Sequence, residues 1–239
     1  MSKEKAVVIV SGGMDSITLA NILHSTFELH LVSFDYGQRH VKELMYAQYW
    51  ADYLKASWHT IPLPKEYMRL LRQSDSVLIN PNVDVPEGHY AQENMKKTVV
   101  PNRNATMLTL ASSIAIAEGA TKVFTAVHAG DHFIYPDCRP EFIKAMSTAI
   151  RLANLGFADE KFSIEAPFVF MSKADIARQG ALLDPPVDHR FTWSCYKGGE
   201  IHCGRCGTCV ERREAFHLAN LSDPTEYEDK DFWKAVTDV

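Results

Sequence analysis

Short apolar runs alternate with longer stretches of helical periodicity along most of this chain. The run Ala6-Val7-Val8-Ile9-Val10 has the length and branching of a buried strand. Met14 to Ser25 follows with apolar residues at Met14, Ile17, Leu19, Ala20, Ile22 and Leu23, the stripe of a helix. The same alternation predicts strands over Leu29–Phe34, Trp58–Pro62, Thr121–Val127 and Phe162–Phe168. Helices are predicted over Lys42–Ala56, Ala105–Glu118 and Glu141–Leu155. Another begins at Ser172-Lys173-Ala174-Asp175, a capping box with Asp in place of Glu. Residues 72–102 break the rhythm with Pro81, Pro86, Gly88 and Pro101, and read either as a lid or substrate loop or as a plain surface excursion. The last 25 or so residues, with Trp233, read as a short helix or two.

Strand and helix in regular succession predict an α/β chain: a Rossmann-like open parallel sheet of about five strands with helices on both faces. Residues 1–190 form that domain in this reading, and 191–239 form a small cysteine-bearing region.

Chemistry concentrates where predicted strands end. Ser11-Gly12-Gly13-Met14-Asp15-Ser16 joins the first strand to the first helix. Its glycines permit backbone conformations that a Cβ opposes, and the following N–H groups stand unpaired at a helix start, where an anion is welcome. Asp15 either holds the loop or meets a metal ion. The string is neither the Walker pattern nor the dinucleotide fingerprint. Asp35 to His40 is a polar cluster at the end of the second strand, where ligands bind in open parallel sheets. Arg103 stands with Asn102 and Asn104 at a helix start, although Asn104 alone reads equally as an N-cap. In the loop from His128 to Arg139, Asp131, Asp137 and Arg139 are expected near a ligand. A metal pair of His128 and His132 is disfavoured, because Gly130 interrupts the helix it needs. Lys173 taken alone reads as a solvated lysine. A cation in a first helical turn would be easier to understand beside an anionic ligand.

Cys195, Cys203, Cys206 and Cys209 form two overlapping C-x-x-C steps with a fourth cysteine upstream. That set favours a structural four-thiolate zinc site over an iron–sulfur cluster or a redox pair, with His202 the only nearby substitute ligand. Five cysteines, an odd and clustered set, argue for a reducing compartment and hence the cytoplasm. The 239 residues are 46% hydrophobic and 23% charged, with a formal net charge of −5. Lys96-Lys97 and Arg212-Arg213 are isolated pairs, so stable nucleic-acid binding is not expected. No leader pattern and no apolar run near about 18 residues predict a chain without a membrane span.

The SGGMDS string resembles the pyrophosphate loop of the N-type, alpha-hydrolase ATPases, which split ATP between its α and β phosphates. SGGMDS, FDYGQRH, VPNRN, YPDCRPEF and the terminal cysteines, in that order, resemble the 7-cyano-7-deazaguanine synthase family from about Ala6 to Arg213. Asn102 departs from that pattern, where glycine is expected. The resemblance implies a ligase forming C–N bonds in queuosine biosynthesis. 7-Carboxy-7-deazaguanine would be adenylated by ATP, converted by ammonia to the amide, adenylated again and released as the nitrile. It further implies that Val10, Ser11, Gly12, Gly13, Met14, Asp15, Ser16, Ile17 and Thr18 bind ATP, with Mg²⁺ bridging phosphate oxygens. Asp131, Lys173 and Arg103 would be catalytic, and Tyr36, Gln38, Arg39, Asn102, Asp137 and Arg139 would contact the substrate. Free ammonia, small-molecule substrates and a homodimer complete the expectation. The alternatives are a tRNA-thiolating enzyme, a ligase for another carboxylate, and a regulatory protein that binds nucleotide without turnover.

Overall fold

The computed structural model describes residues 3–74, 76–90 and 92–237. Five strands, β1 (Glu4–Ile9), β2 (Phe27–Asp35), β3 (Ser57–Pro62), β4 (Lys122–Phe124) and β5 (Ser163–Glu165), form one sheet in the order β3-β2-β1-β4-β5. Every neighbouring pair is parallel. The strand order reverses beside β1, which creates the crevice between β1 and β4 where open α/β sheets take ligands. The helices are α1 (Met14–His24), α2 (Glu43–Leu54), α3 (Lys65–Leu71), α4 (Arg103–Ala117), α5 (Pro140–Ala153), α6 (Lys173–Leu182), α7 (Gly207–Leu218) and α8 (Phe232–Val236).

Strand alternation divides the core. Ala6, Val8 and Val10 pack with Leu19, Leu23, Ala47, Ala51 and Ile176, so α1, α2 and α6 cover one face of the sheet. Val7, Val32 and Val123 pack with Met107, Leu108 and Ala111 of α4 on the other. β4 and β5 are shorter than their apolar patterns predict. After one further bond from Thr125 N–H to the Glu165 carbonyl, β5 meets Pro167, which has no N–H to donate. Beyond β4, His128 and Asp131 cap each other's backbone in a short 3-10 turn, which turns the chain away from the ladder.

The cysteine region does not have a core of its own. Trp193, Cys195, Cys203, Cys206, Cys209 and Tyr227 share the cluster that holds Val7 and Val32. Arg212, fully buried on α7, ties it down by donating to the His189 carbonyl at 2.9 Å and Thr192 Oγ1 at 2.8 Å. Its Nε lies 3.5 Å from Asp223. The 72–102 excursion is likewise packed rather than loose, with Val77, Leu78, Ile79 and Met95 at most 1% exposed. Residues 75 and 91 of that expectation lie outside the described residues.

Replacing Arg212 with Met removes the partner of a buried Asp223 carboxylate and three hydrogen bonds to the 189–194 strap. The expected loss of stability is about 3–5 kcal/mol, read as a lower urea midpoint. A midpoint equal to wild type would contradict it.

Candidate active site

The loop between β1 and α1 is built by close approach. Gly12 has φ +94°, and a Cβ there would lie 2.0 Å from the Glu43 carbonyl oxygen at the start of α2. Its own carbonyl accepts from Trp193 N–H at 2.9 Å. Ser11 and Ser16 brace the turn: Ser11 N–H donates to Ser16 Oγ, and Gly13 N–H donates to Ser11 Oγ, both at 3.2 Å. No side chain caps α1, so its first N–H groups face the crevice as an anion cradle.

Beside the loop lies a charged cluster. Lys173 Nζ, at the start of α6, is 3.1 Å from Asp15 Oδ2, 2.7 Å from Glu211 Oε2 on α7 and 3.3 Å from His128 Nε2. Burial opposes the ammonium, but Asp15, Glu211 and Asp131 outweigh it and hold the Lys173 pKa above its usual value. Asp131 is the mirror case. Burial favours its protonated form, and His128, Lys173, the His128 N–H and the Tyr90 hydroxyl overcome this and keep its pKa low. His128 Nδ1 accepts from Gly130 N–H, which leaves Nε2 facing the carboxylates. Among the described residues Asp15 Oδ1 is buried without a hydrogen-bond partner.

The other half of the cleft, whose cavity volume is about 240 Å³, is aromatic: Phe34, Tyr36, Tyr135, Trp193 and Tyr196 line it with Met107. Arg103 lies over the Tyr135 ring, 5.5 Å from its centroid. Burial opposes its charge, and the groups set around it are the phenols of Tyr36, Tyr135 and Tyr196 and the Cys138 thiol. Glu43 and His40 complete this wall. Burial pushes the Glu43 carboxyl up to about 8, against the opposing effects of Gln38 and Arg103. Burial and Arg103 push the His40 imidazole down to about 3.

Cys195, Cys203, Cys206 and Cys209 are buried with their sulfur atoms within 4.8 Å of one another. The N–H groups of Arg205 and Cys206 donate to Cys203 Sγ at 3.4 and 3.3 Å, the turn of a metal knuckle. Gly204, at φ +74°, is required there, because a Cβ would lie 1.9 Å from the Asp229 carbonyl oxygen. His202 is not a substitute ligand; its Nε2 accepts from Ser194 N–H at 3.1 Å. Four converging thiolate donors fit a metal ion.

Residues 5–220 match the family described as queuosine biosynthesis protein QueC. The chain belongs to that family. A 7-cyano-7-deazaguanine synthase of Ruegeria sp. (strain TM1040) is 54% identical over 233 residues, covering 97% of each chain. The protein of that name from Brucella ovis is 53% identical over 234 residues, covering 98% of this chain and 97% of its own. The NMN synthetase of Francisella tularensis superposes with a TM-score of 0.51 at 15% identity, over 98% of this chain and 84% of its own, and so shares the fold alone.

In this QueC-family chain the cleft brings together Val10, Ser11, Gly13, Met14, Asp15, Ser16, Tyr36, Arg103, Asp131 and Lys173 of the residues predicted from sequence. Others stand outside its lining. Ile17 and Thr18 are fully buried on the inward side of α1, and Gly12 is turned against α2. Gln38 braces the wall from behind, donating to Glu43 and to the Phe34 carbonyl and accepting from Tyr36 N–H. Arg39 holds the 80–83 segment by its carbonyls at 2.7 and 2.5 Å. Asp137 accepts from Asn104 N–H and thereby caps α4, and exposed Arg139 donates to the His132 carbonyl. Asn102 is the N-cap of α4 at φ +57°, a conformation that glycine favours and asparagine tolerates, which accounts for the departure from the family pattern. Sequence reasoning missed Glu43, Tyr90, Trp193, Tyr196 and Glu211. Only Glu43 had a signal, its place one turn past the FDYGQRH cluster.

Between pH 4.5 and about 8 the folded protein keeps a proton on Glu43 that the unfolded chain releases. Its contribution is therefore complete below pH 4.5 and declines as pH rises towards 8, by about 1.4 kcal/mol per pH unit. Glu43→Gln should gain stability relative to wild type across that window in urea unfolding. Parallel pH profiles would refute the burial argument.

Proposed function

We propose that this chain converts 7-carboxy-7-deazaguanine and ammonia to 7-cyano-7-deazaguanine at the expense of two ATP. The observation that carries the reading is the anion cradle of the Ser11–Ser16 loop, set between a lysine-centred cluster and an aromatic wall bearing Arg103. The 54% identity to a synthase of that name supplies the substrate.

In the first half-reaction the substrate carboxylate attacks the α-phosphate, pyrophosphate leaves, and ammonia displaces AMP to give the amide. In the second, the amide oxygen attacks a second α-phosphate, pyrophosphate leaves and the nitrogen gives up one proton; loss of AMP and the remaining N–H proton then leaves the nitrile. Neither half needs a protein nucleophile, and positioning with charge stabilisation supplies the rate. The loop N–H groups and Lys173 offset phosphate charge, Arg103 faces the carboxylate being activated, and Asp131 holds the charged cluster in register. The buried, unpartnered Asp15 Oδ1, among three carboxylates, fits a divalent cation such as Mg²⁺, which would neutralise phosphate oxygens. The four thiolates fit a closed zinc site with no role in the reacting steps. A thiolase reading is weaker, because Cys138 is buried, its thiol is pushed up by burial, and it accepts from Asn104. No helix among the described residues is long and apolar enough to cross a membrane. A cytoplasmic homodimer without a stable nucleic-acid partner fits the net charge of −5 and the unpaired cysteines, and light scattering with and without tRNA tests it.

Incubation with ATP, ammonium and the 7-carboxy acid should yield the nitrile mass and two AMP per product. Lys173→Met should lower kcat/KM at least about 100-fold. Release of no AMP by wild type, with or without the acid, would overturn the assignment. Native mass spectrometry should find one zinc per chain, and a metal-free folded chain would refute the four-thiolate site.

A further inference from the structure

The cleft holds one carboxyl group that the proposed chemistry does not use. Glu43 lines the aromatic wall with its side chain only 10% exposed. Its Oε1 accepts from Gln38 Nε2 at 3.2 Å, and its Oε2 lies 3.5 Å from His40 Nε2. A carboxylate has about four acceptor positions, so most of this group's capacity is unused. Gln38 is itself locked to the backbone of residues 34–36, which fixes the carboxyl against the wall. Aspartates and glutamates are almost never this buried without a charged partner; His40, held neutral, is not one, and Arg103 acts on Glu43 without outweighing its burial.

A positive group stands across the same wall. Arg103 is a buried cation set among phenols and a thiol, 5.5 Å from the Tyr135 ring centroid. A carboxyl group with spare acceptor positions and a buried cation line one flat aromatic space. A planar heterocycle with two N–H donors on one edge and an acid on another would satisfy both.

We propose that Glu43 is the specificity-determining residue of the heterocycle site, accepting the ring N–H and the exocyclic amine of a 2-amino-4-oxopyrimidine edge. This rests on the synthase reading above and deepens it. Two parallel N–H···O bonds favour the ionised carboxylate, as does Arg103 nearby. An analogue without the exocyclic amine leaves one buried acceptor unpaired, and such a vacancy is discriminated by roughly 10- to 100-fold.

The test compares 7-carboxy-7-deazaguanine with its 2-deamino analogue in wild type, Glu43→Gln and Glu43→Asp. Steady-state rates are paired with calorimetric binding of each acid alone. Wild type should prefer the amino compound by at least about 10-fold, in kcat/KM and in Kd. Glu43→Gln keeps an acceptor toward Gln38 but replaces the other with a donor, so the preference should fall to near unity while KM for ATP stays within about twofold. Glu43→Asp keeps the carboxyl group and should retain part of the preference, which supplies the comparison if the amide variant folds poorly. An undiminished preference in Glu43→Gln would overturn the inference, as would equal calorimetric binding of both acids by wild type. If wild type binds the amino compound preferentially but turns over neither acid, the synthase reading fails and the recognition by Glu43 stands.

Discussion

Everything in the cleft is arranged around the burial of one ammonium. Lys173 has left most of its water, and the cost is offset only because Asp15, Glu211 and Asp131 converge on it. Those three carboxylates come from the α1 loop, from α7 and from the turn after β4. Removing any one leaves the others over- or under-compensated in a poorly hydrated place. The network therefore fixes the relative positions of segments more than 190 residues apart in the chain. A phosphate bound as proposed would rearrange this charge pattern, because it would compete with Asp15 and Glu211 for the same ammonium.

The cysteine knuckle belongs to this argument although it lies away from the reacting atoms. Cys206 is the N-cap of α7, and Cys209 lies in its first turn. Glu211 and Arg212 follow half a turn later. Glu211 reaches Lys173, and Arg212 holds the strap that sends Trp193 N–H to the Gly12 carbonyl. A metal held by the knuckle would thus set the register of the helix supplying one partner of the buried lysine, and of the strap supporting the Ser11–Ser16 loop. The same logic explains the two glycines that meet foreign backbone. At Gly12 and Gly204 a Cβ would fall 2.0 and 1.9 Å from a carbonyl oxygen, so each is the point where two distant segments touch.

The strands, the loop and the thiolates were legible because each is carried by local pattern: an apolar run, a glycine turn, a cysteine spacing. α7 was hidden because its first residues are also the metal knuckle, and cysteine spacing masked the helical stripe behind it. α3 is seven residues after Pro64, too short for periodicity to separate it from a loop. Among predicted contacts, Asp137 and Arg139 lie outside the cleft lining for an instructive reason. Polar residues in a loop after a strand are equally suited to a ligand and to the orphaned N–H and C=O groups nearby, and here the orphans won. Glu211 and Tyr90 had no signal at all, since their roles arise from long-range packing.

What sequence could not separate is the division of labour within the cleft. Its charged half is nearly saturated with internal pairs, whereas its aromatic half carries Arg103 and Glu43 with few. Internal pairing suits a site that must bind a flexible polyanion and release two pieces of it in turn, because the pairs re-form as each piece departs. Unpaired groups on a rigid aromatic wall suit recognition of a planar molecule, because nothing must be displaced and the penalty for an unmatched edge is highest there. Two activations in one pocket, as proposed, would follow from this contrast. A nucleotide in the charged half would exchange while a heterocycle held by Arg103 and Glu43 stayed in place between the two steps.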